Sequence, residues 1–126
     1  MNILIVEDNR ILQKVLSIFF NRYLNIKPLI KENGQIALDF IKQNKNKKID
    51  LIFTDLRMPE MDGIEFCKEL RKTDKLTPII LMTAQYEKFL ALEYEGVNEI
   101  LMKPFKLDFL ANIISRYGNP IDYPIP

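Results

Sequence analysis

Short uninterrupted apolar runs alternate with longer stretches in which apolar residues recur every three or four positions. Residues 3–6 (Ile-Leu-Ile-Val) form such a run, the pattern of a strand covered on both faces. Residues 10–24 predict a helix, with Ile11, Val15, Ile18 and Phe19 as its core stripe and Leu16 and Phe20 at the stripe's edges. Pro28-Leu29-Ile30 reads as a weak second strand. Asn33-Gly34 opens a second helix carrying Ile36, Ala37, Phe40 and Ile41, with Asn33 as its N-cap. Leu51-Ile52-Phe53 is a third strand ending at Thr54-Asp55. A loop over residues 58–63 leads, through Asp62 as N-cap, into a helix carrying Ile64, Cys67, Leu70 and Arg71. Residues 78–82 form a fourth strand ending at Thr83. A helix over residues 86–94 stops at Gly96, a natural C-terminal breaker. Ile100-Leu101-Met102 is the fifth strand, ending at Lys103-Pro104, and residues 107–116 form the last helix.

This is a strand–helix unit repeated five times, which predicts an α/β fold: a doubly wound parallel sheet with helices on both faces. One domain over residues 1–116 is expected, followed over 117–126 by an irregular tail with Pro120, Pro124 and Pro126. The tail reads either as a natural end or as the start of a linker to an effector domain.

Composition narrows the chemistry. At 126 residues, 48% of them apolar, the chain can bury one core of ordinary size. A net charge of +1, from 18 basic and 17 acidic residues, argues against direct nucleic-acid binding or a membrane-surface role. No histidine is present, which excludes His-ligated zinc, Ser-His-Asp catalysis and a self-contained phosphohistidine relay. The single Cys67 allows no internal disulfide and fits a reducing, cytoplasmic setting. No apolar run approaches the ~18 residues that span a bilayer, and the N-terminal run lacks the basic flank of a signal peptide.

The polar residues at strand ends carry the functional signal. Glu7 and Asp8 follow strand one, Asp55 ends strand three, Thr83 ends strand four and Lys103 ends strand five. In an open parallel sheet, ligands bind outside the carboxyl ends of the strands, where the strand order reverses. In the flavodoxin-like order 2-1-3-4-5 that point lies between strands one and three, which would gather Glu7, Asp8 and Asp55 with Thr83 and Lys103 alongside. Clustered carboxylates call for a cation, and an all-oxygen site favours Mg²⁺, with Mn²⁺ able to substitute. The ammonium of Lys103 and the hydroxyl of Thr83 suit a transferring phosphoryl group, and a carboxylate is a nucleophile that forms aspartyl phosphate. Taken singly, each residue has a plainer reading. Glu7-Asp8 would be a solvated loop with Asp8 capping the first helix, Thr83 a strand end, and Lys103 a solvated lysine. Their joint placement at one sheet edge favours a site.

Four segments, in order, resemble the response-regulator receiver family over residues 2–116: Glu7-Asp8, Asp55-Leu56-Arg57-Met58-Pro59-Glu60-Met61-Asp62-Gly63, Thr83-Ala84 and Lys103-Pro104-Phe105. The second is the most specific. The resemblance implies Asp55 as phospho-acceptor. It implies Mg²⁺ held by Asp8, Asp55 and the backbone carbonyl of Arg57, with Glu7 acting through a metal-bound water. Thr83, the backbone N–H of Ala84 and Lys103 would contact the phosphoryl group, and Lys103-Pro104 would be cis. The donor would be a phosphohistidine on a sensor histidine kinase or a histidine phosphotransfer protein. An output partner or a second copy would dock on the face of the fourth helix, fifth strand and last helix, where Tyr86, Phe89, Leu90, Tyr94 and an exposed Phe109 are expected. The chain would be a signalling switch that assists its own phosphorylation and dephosphorylation, not an enzyme with a separate substrate. One departure is Ile100, which stands where receivers commonly carry Tyr or Phe. The usual aromatic readout would then give way to a shift of Thr83 and its following loop, or to changed dimerisation. Arg57 and Gln85 are expected at the site entrance.

Rival readings fit less well. A haloacid-dehalogenase-like phosphatase needs a second Asp two residues after its nucleophile, where this chain has Arg57. A receiver-like module that has lost phosphorylation would lack one of the residues present here. Flavin binding needs a phosphate-cradling loop after strand one, and Asn9-Arg10-Ile11 is unsuited. Lys42, Lys45, Lys47 and Lys48 precede strand three, at the end opposite the site, and read as a solubilising cluster.

Overall fold

The computed structural model describes residues 1–84 and 96–118. The strands are β1 (Ile3–Val6), β2 (Leu29–Lys31), β3 (Leu51–Asp55), β4 (Ile79–Thr83) and β5 (Glu99–Met102). The helices are α1 (Arg10–Leu24), α2 (Gly34–Gln43), α3 (Gly63–Arg71) and α4 (Leu107–Arg116). All pairings are parallel, in the order β2-β1-β3-β4-β5, so the expected sheet is found. The second strand lies one residue later than its pattern predicted, because Lys31 pairs with Val6 and its carbonyl takes the Glu7 N–H. The helix expected over 86–94, with Tyr86, Phe89, Leu90 and Tyr94, lies outside the described residues, as do Gln85 and residues 119–126.

Alternation along the strands divides the core into two layers. Ile3, Ile5, Phe53, Ile80 and Met82 face α1 and α4, in one cluster with Phe19, Phe20, Leu110 and Ile114. Leu4, Val6, Ile52 and Ile79 face α2 and α3, in a second cluster with Ala37, Phe66, Cys67 and Leu70. The two faces are thus built from alternate residues of the same short runs.

The stripe expected on α1 is corrected. Ile11, Val15 and Ile18 are 76%, 44% and 63% exposed. The helix docks through Phe19, as expected, and through the edge residues Leu16 and Phe20, joined by Leu12 and Tyr23. Both sets repeat at helical spacing and differ by one residue, about 100° around the helix, so periodicity alone could not say which faces the sheet. Ile36 on α2 is likewise exposed.

Each helix entrance matters for the site. The Asn9 side chain caps α1, accepting from Ile11 N and Leu12 N at 2.9 and 3.0 Å, so Asp8 is not that cap. Asp62 caps α3 through Glu65 N at 2.8 Å, as expected. Cys67 packs on the core face of α3, 1% exposed, and burial pushes its thiol up to about 12. Modification of Cys67 by an aromatic disulfide reagent is therefore expected only after unfolding; fast reaction in the native protein would show that α3 opens readily.

Candidate functional site

Glu7 leaves the end of β1 and turns inward. Its side chain is fully buried, with Oε1 accepting from Lys103 Nζ at 2.8 Å and Oε2 from Asn9 N at 3.1 Å. Gln13 on α1 donates to the Glu7 carbonyl at 2.5 Å. Asp55, the last residue of β3, accepts from Leu56 N on Oδ1 at 2.9 Å, and the same oxygen lies 3.2 Å from Lys103 Nζ. The strand neighbour fixes this turn, since Leu56 N also faces the Met82 carbonyl at 3.0 Å. Thr83 ends β4 and is buried, and its carbonyl takes the Lys103 N–H at 2.8 Å. Ala84 beyond it is exposed. The Lys103-Pro104 bond is cis.

Carboxylate oxygens of Glu7, Asp8 and Asp55 lie within 4.8 Å of one another. Among the described residues one ammonium, Lys103, reaches Glu7 and Asp55. Burial pushes the Asp8 carboxyl above its usual range, and so does a hydrogen bond with Glu7; Lys103 opposes the rise. Among the described residues, three carboxylates therefore face one ammonium, which leaves negative charge that the lysine does not balance. An all-carboxylate donor set short of positive charge suits a hard divalent cation such as Mg²⁺, so these residues fit the metal. Arg57 lies in the exposed loop two residues beyond Asp55.

Sequence reasoning thus assembled Glu7, Asp8, Asp55, Thr83 and Lys103 at one sheet edge, and the fold brings them there. It missed Gln13 and Asn9, which hold the Glu7 backbone and side chain. Asn9 carried a signal, as a capping residue type directly before a helical pattern. Gln13 carried none, because its partner is set by how α1 docks.

The model of the response regulator receiver domain matches residues 3–115. The response regulator ArlR of Staphylococcus haemolyticus is 37% identical over 112 residues, covering 86% of this chain and 48% of that protein. The chain therefore spans about half the length of this relative. Among solved structures, the receiver domain of a sensor histidine kinase from Pseudomonas aeruginosa, with a magnesium ion coordinated in its active-site cleft, superposes with a TM-score of 0.77 at 30% identity, covering 92% of this chain and 95% of that one. The receiver domain of a Saccharomyces cerevisiae response regulator, crystallised with its histidine phosphotransfer signaling protein, gives 0.81 at 30% identity, covering 94% and 88%. This chain belongs to the response regulator receiver domain family. It is a receiver domain of two-component or phosphorelay signalling, and none of its described helices is long and apolar enough to cross a membrane.

Proposed function

We propose that this receiver accepts a phosphoryl group on Asp55 from a phosphohistidine of a sensor kinase or phosphotransfer protein, in a Mg²⁺-dependent reaction in the cytoplasm. The observation that carries the reading is the Lys103 ammonium lying between Glu7 and Asp55 within the carboxylate cluster. Asp8, Asp55 and the Arg57 carbonyl would hold Mg²⁺, with Glu7 reaching it through water. The bound ion supplies neutralisation of charge on the carboxylates and the phosphoryl oxygens. In the transfer, the P–N bond to the donor imidazole breaks as an Asp55 carboxylate oxygen forms the new O–P bond. Lys103, Thr83 and the Ala84 N–H would hold the phosphoryl oxygens. Loss of the phosphoryl group by attack of water returns Asp55 to its starting state.

The donor reads α1. Its N-terminus adjoins Glu7 and Asp8, and the exposed Ile11, Val15 and Ile18 run along it from the site. Such a stripe suits an apolar helical partner that presents a histidine over Asp55. Output is assigned to the groove between β5 and α4, where Ile100 and the exposed Phe109 lie together. Movement of Thr83 would reach it without an aromatic at position 100.

Intact-mass analysis after incubation with acetyl phosphate tests the chemistry. One added phosphoryl group is expected with Mg²⁺ and none with EDTA; no adduct, together with no binding of a beryllofluoride mimic, would overturn the reading. Ile18→Lys is expected to leave acetyl phosphate labelling unchanged and to slow transfer from a phosphorylated phosphotransfer protein by roughly tenfold or more, as loss of an apolar anchor does. Equal slowing from both donors would move the effect from docking to the site itself.

A further inference from the structure

Lys42, Lys45, Lys47 and Lys48 rim a concave opening of about 700 Å³ at the end of the sheet opposite Asp55. It lies between the loop joining α2 to β3 and the loop joining α3 to β4. Its floor is apolar: Ile52 is fully buried, and Ile41 and Ile49 are partly buried on the α2–α3 core.

Lys42 stands on the last turn of α2, and the loop carrying Lys45, Lys47 and Lys48 is fixed at both ends. The N–H and Nδ2 of Asn44 both donate to the Phe40 carbonyl, at 3.0 and 2.8 Å. Lys47 N donates to Asn44 O at 3.0 Å, and Asn2 Nδ2 to Lys48 O at 2.8 Å. The nearby acids are already engaged. Asp74, in the facing wall, accepts from Leu76 N, Thr77 N and the Thr77 hydroxyl at 3.0, 3.0 and 2.5 Å. Asp50 accepts from Asn2 N at 2.6 Å, and Glu69 pairs with Lys72 at 2.8 Å. No ion pair among the described residues takes Lys45, Lys47 or Lys48. In a chain of net charge +1, this is positive charge gathered at one pole around an apolar floor.

We propose that this pocket binds an amphiphilic organic anion, its carboxylate, sulfonate or phosphate head on the lysines and its apolar body on Ile41, Ile49 and Ile52. The concavity has the size of a small-molecule site, roughly 300–1,000 Å³, which favours such a ligand over a flat membrane or a nucleic-acid duplex. Its lining holds no aromatic ring on which a nucleobase could stack. The inference stands independently of the chemistry at Asp55.

The test is a titration of the full, ¹⁵N-labelled chain with 8-anilinonaphthalene-1-sulfonate, followed by backbone amide shifts. Saturable shifts within residues 41–52 and 73–77 are expected, displaced by dodecanoate and not by inorganic phosphate. Combined Lys45→Glu and Lys48→Glu should weaken binding roughly tenfold, as the loss of two exposed charge contacts implies, with the amide spectrum elsewhere unchanged. Shifts centred on α1 or on the β5–α4 groove would overturn the proposal. So would unsaturable binding, equal affinity in the charge-reversed variant, or an equal response to inorganic phosphate.

Discussion

Asp55→Asn is expected to gain no phosphoryl group under conditions that label the parent protein. The substitution keeps the shape of the side chain and an oxygen for Leu56 N, which Asp55 Oδ1 meets at 2.9 Å, and removes the nucleophilic carboxylate. Neither neighbouring acid is placed to take over. Glu7 is fully buried, and its two oxygens are held by Lys103 and by Asn9 N. Among the described residues Asp8 has no ion pair with Lys103, whose contacts run to Glu7 and Asp55. Misfolding would be a trivial cause of lost labelling, and thermal unfolding separates the two. Neutralising Asp55 removes its repulsion by two carboxylates and its attraction to one ammonium. The metal-free variant is therefore expected to melt at or above the parent's midpoint. Mg²⁺ should stabilise it less, since one of three carboxylates is gone. An adduct on the Asn variant, mapped by peptide mass, would place the acceptor elsewhere and leave the carboxylate cluster as a metal site only.

The parts of the fold that were legible in the sequence are those where one signal suffices. Residues 3–6, 51–53 and 79–82 are continuous apolar runs whose alternate residues fill opposite faces of the sheet. Such runs have no polar side to place and are too short for a helix, which leaves buried central strands. Strand ends were legible for the same reason: each run stops on a polar residue, and a parallel sheet sends all those stops to one edge. Position on a helix was not legible where two apolar stripes compete. On α1 the sheet takes Leu16, Phe19 and Phe20, leaving Ile11, Val15 and Ile18 outside. The choice is made by tertiary packing, through rings such as Phe20 against Phe53 at 5.8 Å between centroids. At the site, residue identity was legible and pairing was not. Lys103 approaches Glu7 more closely than Asp55, 2.8 against 3.2 Å, because the fully buried carboxylate has no water to replace that partner. The lysine cluster shows the same limit, since its meaning changes once Ile41, Ile49 and Ile52 lie beneath it.

Gly63→Ala is expected to damage stability and labelling together, for a reason unrelated to glycine's backbone freedom. Gly63 is the first residue of α3, after the Asp62 cap, and the loop from β3 folds back so that Gly63 N donates to Leu56 O at 2.8 Å. A Cβ on Gly63 would lie 2.2 Å from the Asp55 carbonyl oxygen, and 3.1 Å from both Asp55 C and Leu56 Cα. Every one of these is a backbone atom, so no side-chain rotation relieves the contact. Either the start of α3 or the end of β3 must move. Overpacking of this kind costs about 3 kcal/mol, read as a lower denaturant midpoint. Displacement of Asp55 by about 1 Å relative to Lys103 should slow labelling roughly a hundredfold in the protein that remains folded. Asp62→Ala is the informative contrast. It removes the cap on Glu65 N, at about 1 kcal/mol, without touching Asp55, and should label at the parent's rate. If Gly63→Ala lost stability alone, α3 would have yielded and β3 held. If labelling fell with it, the glycine at the end of the Asp-x-x-Met-Pro-x-Met-Asp-Gly segment is there to let a helix start against the backbone that positions the acceptor.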